Sequence, residues 1–166
     1  MKLRHSIDNF FNEKELEEVF SSIDTSTPNK SWYTKDNLSD FQKKLIEGSP
    51  WKSDKVFGVE QWFHTEKTVP GMHYDKDEEL FVRSEEIRFP IASVILYLRV
   101  ENLLGGKLFI NDNIEPVSPK TGQVIYLAPG VLHGVLRHIK GVRRSININI
   151  WDYNINIDNT IRTIYR

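Results

Sequence analysis

The chain contains no cysteine. Disulfides and thiolate metal sites are therefore excluded, and the composition fits a reducing compartment, so a cytoplasmic location is expected. Long apolar runs are missing too. A membrane-spanning helix needs about 20 consecutive apolar residues, nothing in the sequence approaches that, and no membrane partner is expected. The opening stretch MKLRHSIDNFF lacks an apolar segment, so no secretory signal is expected from it. There is no excess charge of one sign, with 22 basic residues against 23 acidic ones. The densest basic patch, RHIKGVRR at 137–144, falls in a strand-like stretch. A phosphate-backbone binder needs a basic face, so no nucleic-acid partner is expected. Internal repeats and low-complexity tracts are absent. The 166 residues suit one domain, 1–166, and are too few for two ordinary ones.

What is present divides into two textures. Residues of about 1–50 read as helical support. In NEKELEEVFSSI, Asn12 is a good N-cap and Glu15 completes a capping box, while Leu16, Val19, Phe20 and Ile23 form one apolar stripe. TPNKSWYTKDN, 27–37, carries loop residues. LSDFQKKLIEG predicts a second helix with Leu38, Phe41, Leu45 and Ile46 inward and Gly48 and Pro50 at its end. These stripes are expected to cover a sheet; the competing use is a homodimer or partner face. From about 55 to 152 the chain changes to short β-branched and aromatic segments separated by Gly, Pro, Asn and Asp, the pattern of an all-β sandwich or barrel.

Chemistry concentrates at PGMHYDKDEEL, 70–80. Residues two apart on a strand face the same way, so His73 and Asp75 form a potential bidentate corner for a metal. Of the other histidines, His133 in LAPGVLHGVLRHI is the best third ligand. His138, five residues on, faces the opposite side along a regular strand, His5 sits in the N-terminal segment, and His64 could flank the site. Asp77 competes with Asp75 but is expected in a solvated loop. Two imidazoles and a carboxylate on one face of a metal are the donor set of non-haem Fe(II) oxygenases, and they leave positions open for other ligands. A structural zinc site would instead be closed by four ligands. The last strand, GVRRSININIW, sorts into two faces: Arg144, Ile146, Ile148 and Ile150 on one, Arg143, Ser145, Asn147, Asn149 and Trp151 on the other. A guanidinium grips a carboxylate through parallel hydrogen bonds. Arg143-x-Ser145 could therefore hold the distal carboxylate of a dicarboxylic acid, or Arg143 could serve a structural ion pair.

Four pieces then occur in order over residues 56–151: HYD at 73–75, VILYLRVENLLGGKLFI at 94–110, PKTGQVIYLAPGVLHGV at 119–135 and GVRRSININIW at 141–151. Together they resemble the Fe(II)- and 2-oxoglutarate-dependent dioxygenases, in particular the prolyl 4-hydroxylase-like branch. The resemblance implies a mainly β fold, a double-stranded β-helix (a cupin-like jelly roll) with the N-terminal helices packed on the outside. It implies that His73, Asp75 and His133 bind Fe(II), and that Arg143, Ser145 and Tyr97 hold 2-oxoglutarate as co-substrate, with O2 as oxidant. Presence of Asp75 favours hydroxylation over halogenation, because the superfamily's halogenases lack that carboxylate. An aromatic residue that often follows the arginine by six positions is replaced by Asn149, with Trp151 two further on. Gln61, Trp62, Asn147 and Trp151 are the expected substrate-pocket residues. The implied reaction hydroxylates an unactivated C–H of a small molecule or a peptide residue and releases succinate and CO2. The acidic segment DKDEELFVRSEEIRFP, 75–90, is either a lid or a surface loop. Competing readings are a cupin-like metal- or ligand-binding module without turnover, and a metal-dependent isomerase or hydrolase on the same barrel.

Overall fold

A computed structural model describes residues 3–25, 29–112 and 114–157. A six-stranded antiparallel sheet forms its centre. In chain order its strands are β1 (Arg4–Ile7), β2 (Ser31–Thr34), β3 (Gly58–His64), β4 (Ala92–Gly105), β6 (Val124–Leu127) and β8 (His138–Trp151), and in space they run β1-β6-β4-β8-β3-β2. Facing it are β5 (Leu108–Ile110) and β7 (His133–Val135), paired antiparallel and widened by single bridges from His73 to His133 and from Leu108 to Val117. Two facing sheets with helices outside one of them are the double-stranded β-helix expected from the sequence.

The helices are α1 (Glu13–Ser22), α2 (Asp40–Gly48) and α3 (Glu78–Ser84). The capping box that starts α1 is present: Glu15 N donates to Asn12 Oδ1 at 3.0 Å and Asn12 N donates to Glu15 Oε2 at 2.9 Å. An equivalent box, Ser39 with Gln42, starts α2. Both satisfy backbone donors that a helix start leaves orphaned. Their apolar stripes land on the outer face of the large sheet. There Leu16, Val19 and Leu45 meet Val59, Val94, Leu96, Val124, Ile146, Ile148 and Ile150 in one buried cluster. Tyr126 Oη donates to Leu45 O at 3.0 Å and fixes the seat of α2. Gly48 permits that approach, since a Cβ there would stand 2.5 Å from the Tyr126 hydroxyl. The opposite face is a second apolar cluster toward β5, made of Ile95, Tyr97, Leu108, Ile110, Ile125, Leu127, Ala128 and Val131.

Three local expectations change. The N-terminal fifty residues are not helical throughout, because they also supply both edge strands of the large sheet: β1 pairs with β6 and β2 with β3. SWYT lies in a stretch of loop residues yet forms β2, an edge strand held by its neighbour's ladder; Thr27 and Pro28 of that stretch lie outside the described residues. The 75–90 segment contains α3, so it is not a plain loop. Asp77 is buried rather than solvated and caps that helix, accepting from Leu80 N at 2.9 Å and from Tyr153 Oη at 2.9 Å. Finally, VLHGVLRHI is not one strand: β7 ends at Val135 and β8 begins at His138. Among the described residues no helix is long and apolar enough to cross a membrane.

Candidate metal centre and its cleft

Alternation on the strands sorts the chemistry. On β3, Val59, Gln61 and Phe63 turn outward, while Glu60, Trp62 and His64 turn inward; Gln61 Oε1 accepts from Gln42 Nε2 of α2 at 2.8 Å. On β8, Arg143, Ser145 and Asn149 are buried on the inner side, out of step with the Ile146, Ile148 and Ile150 of the outer core.

His73, Asp75 and His133 come together, with one ligand atom from each all within 4.8 Å of one another. The bridge between 73 and 133 brings them there. His73 N donates to His133 O at 2.9 Å and His133 N to His73 O at 3.0 Å, which sets the two rings 4.5 Å apart. Each ring is then oriented through Nδ1, at 2.7 Å from Gly71 O for His73 and 3.0 Å from Val131 O for His133. A carbonyl only accepts, so each Nδ1 carries a proton, which leaves Nε2 as the ring atom that can ligate a metal. Both Nε2 atoms aim at one carboxylate: His73 Nε2 is 3.6 Å from Asp75 Oδ1 and His133 Nε2 is 3.6 Å from Asp75 Oδ2. Burial works to raise the Asp75 carboxyl, but His133, His73 and a hydrogen bond with Ser93 reverse it and hold it below the usual carboxylate range. Two imidazole Nε2 atoms and a carboxylate converging in this way fit a divalent cation, and the carbonyls behind the imidazoles are the partners that fix a ligating orientation.

Arg143 is 2% exposed. Its Nη2 donates to Thr65 O at 3.4 Å and to Thr68 O, while its Nε has no partner among the described residues. Burial lowers its pKa against the pull of Tyr97 and Glu66, although a guanidinium stays charged regardless. A buried, incompletely satisfied guanidinium on the inner face suits an incoming carboxylate. Tyr97 and Ser145 face each other across β4 and β8. Burial pushes the Tyr97 phenol well above its ordinary value, so it remains a hydrogen-bond donor. Ser145 Oγ donates to Asn147 Oδ1 at 3.2 Å.

Beside the triad lies a narrow cleft, part of it open to solvent, walled by Lys30, Trp62, His64, Pro70, His73, Asp75, Lys76, Glu78 and Asn149. Lys30 Nζ pairs with Glu60 Oε1 at 2.7 Å and sits 5.1 Å over the Trp62 ring. Burial opposes the Lys30 charge, but Glu60, Asp75 and Glu78 outweigh it and raise the pKa. Trp62 Nε1 donates to His64 Nε2 at 3.0 Å. Burial, with Arg143 and His73 next, pushes His64 down to about 3, so this ring is a neutral acceptor.

Three of the four expected pocket residues are corrected, Trp62 alone lining the cleft. Gln61 cannot share a wall with Trp62, because adjacent strand residues point to opposite faces, and its amide is spent on α2. Trp151 is fully buried, edge-on to Tyr153 at 5.5 Å, and does not wall this cleft. Asn147 is half-buried and bonded to Ser145; the β8 residue in the cleft wall is Asn149. Lys30, Glu60, Ser93, Lys76 and Glu78 were missed as cleft or support residues. Parity with Trp62 would have found Glu60, but no local pattern brings Lys30 to it from 30 residues away.

No family model and no curated protein matches the sequence. Solved structures do. The chain is similar to a viral collagen prolyl hydroxylase from Paramecium bursaria Chlorella virus-1 in its 2-oxoglutarate complex, at 20% identity and TM-score 0.63 over 90% of this chain and 95% of that one. A Pseudomonas putida prolyl-4-hydroxylase matches at 16% identity and TM-score 0.63, over 89% of this chain and 84% of the other. HygX from Streptomyces hygroscopicus with iron bound matches at 11% and 0.54, over 89% and 82%. At such identities the likeness defines the fold, the double-stranded β-helix on which these oxygenases are built.

Proposed function

We propose that the protein is a non-haem Fe(II)- and 2-oxoglutarate-dependent oxygenase that hydroxylates an unactivated C–H bond of a small molecule or peptide residue, releasing succinate and CO2. One observation carries this reading: both imidazoles are anchored through Nδ1 to backbone carbonyls and turn Nε2 toward the Asp75 carboxylate. The similar structures with 2-oxoglutarate and with iron support it as analogues on the same fold. His73, Asp75 and His133 would hold the iron, which supplies the oxygen activation that couples 2-oxoglutarate decarboxylation to hydroxylation. Arg143 would pair with the far carboxylate of 2-oxoglutarate, its free Nε and charge matching that anion. The Tyr97 phenol, kept protonated by burial, would donate to the same carboxylate, and Ser145 Oγ would turn to it from Asn147. A binding module without turnover has no use for that buried guanidinium.

Adding Fe(II) and 2-oxoglutarate under anaerobic conditions is expected to produce the visible metal-to-ligand charge-transfer band of the chelate. In air the protein should form succinate, and Asp75→Ala should form none. Iron bound without the band, or undiminished succinate from Asp75→Ala, would overturn the proposal.

A further inference from the structure

Among the described residues of the cleft wall, two buried polar atoms have no hydrogen-bond partner: Glu78 Oε2 and Asn149 Oδ1. Both are acceptors. The Asn149 assignment is fixed by chemistry, because its amide bonds at 3.0 Å to the Glu60 carboxylate. A carboxylate accepts only, so that amide atom is nitrogen and the other is oxygen. Asn149 is 1% exposed, so its oxygen has no solvent to fall back on. The cleft's cations, in contrast, are engaged. Lys30 is paired with Glu60, and Lys76 Nζ bonds to Glu78 Oε1 at 3.3 Å and lies 3.2 Å from Oε2 without forming a hydrogen bond to it. The Trp62 face beside Lys30 adds surface that suits a positive group.

From these groups we infer that the cleft recognises its substrate through an ammonium group, whose N–H donors reach Glu78 Oε2 and Asn149 Oδ1 beside the triad. The substrate class is thus an amine, such as a free amino acid, a polyamine or a peptide with a free amino group. This rests on the triad's being the reacting centre. An anionic substrate would instead have to break the Lys30–Glu60 or Lys76–Glu78 pair and would leave the buried Asn149 Oδ1 without a donor, a cost the amine avoids. Asp77 serves the arrangement by capping α3 and so fixing where Glu78 projects.

The test is calorimetric titration of the protein loaded with Mn(II) and 2-oxoglutarate, which binds without turnover. The probes are putrescine, L-lysine and L-leucine, each against its N-acetylated counterpart. At least one free amine should bind, and its acetylated form roughly tenfold to a hundredfold more weakly, the worth of hydrogen bonds to charged groups. Glu78→Gln, checked for an unchanged circular dichroism spectrum, should weaken amine binding by a similar factor. Lys76→Met, which removes the internal cation competing for Glu78, should leave it equal or tighter. Binding of none of the amines, equal binding of acetylated and free forms, or loss of binding in Lys76→Met but not in Glu78→Gln would each overturn the inference. Failure of 2-oxoglutarate itself to bind in a preceding titration would count against the oxygenase proposal instead, so the two failures are distinguishable.

Discussion

Strand β8 has two sides that do different work. Ile146, Ile148 and Ile150 point out to the helices, and each is about 1% exposed; Arg143, Ser145 and Asn149 point in and are equally buried. The outer side is interchangeable chemistry: apolar volume removed from water, contributing roughly 1.5–3 kcal/mol per fully buried side chain. The inner side costs stability, because burying a guanidinium and an amide removes them from water with incomplete compensation. What the contrast teaches is that a polar lining is tolerable here because the same strand carries a helix-covered apolar face that offsets it. A functional reading of the inner residues therefore does not compete with a structural reading of the outer ones.

The largest expected effect comes from the outer side. Ile148→Ala should lower the unfolding free energy by about 2–5 kcal/mol, read from urea denaturation, while the 2-oxoglutarate affinity of the folded fraction stays the same. A loss of affinity at retained stability would break the separation of the two faces. Next is the pair of adjacent arginines. Arg143→Gln should weaken 2-oxoglutarate binding by roughly ten- to hundredfold, the scale of a hydrogen-bonded charge. Arg144→Gln, whose guanidinium lies 5.7 Å over the Phe20 ring on the helical side, should cost only about 0.5–1 kcal/mol of stability and no affinity. The reverse order would exchange the two faces.

Alternation is the reason so much was legible. GVRRSININIW and the H-x-D pair each separate into faces by counting, and the spacing of Leu16, Val19 and Leu45 predicts helices that cover a sheet. The same count separates Gln61 from its neighbour: Trp62 turns in, so Gln61 cannot. α3 had a local signal, Asp77 ahead of two glutamates and an apolar turn, but at seven residues it is too short for periodicity to outweigh its charge. β1 and β2 are four-residue edge strands whose pairing comes from β6 and β3, far along the chain, and no local pattern carries that information. The same holds for Lys30, which enters the cleft only because β2 lies against β3.

At neutral pH the smallest expected effect is that of His64, because it appears only on acidification; it sharpens the comparison on β3, where Phe63 faces the helices and His64 the cleft. Its pKa is pushed from 6.5 down to about 3, chiefly by burial and then by the Arg143 charge. The unfolded chain therefore takes up this proton more readily than the folded one. The folded state keeps its full advantage above pH 6.5, and loses it as pH falls from there toward 3. His64→Gln keeps an acceptor for Trp62 Nε1 but cannot titrate. In metal-free protein, urea midpoints measured from about pH 7 down to about pH 4 should fall less steeply for His64→Gln than for the unmodified chain. The slope should not vanish, because His133 is depressed by burial as well and keeps its share. Equal slopes would mean that the His64 ring titrates as it does in water, and that the inner face of β3 is wetter than its neighbours on β8.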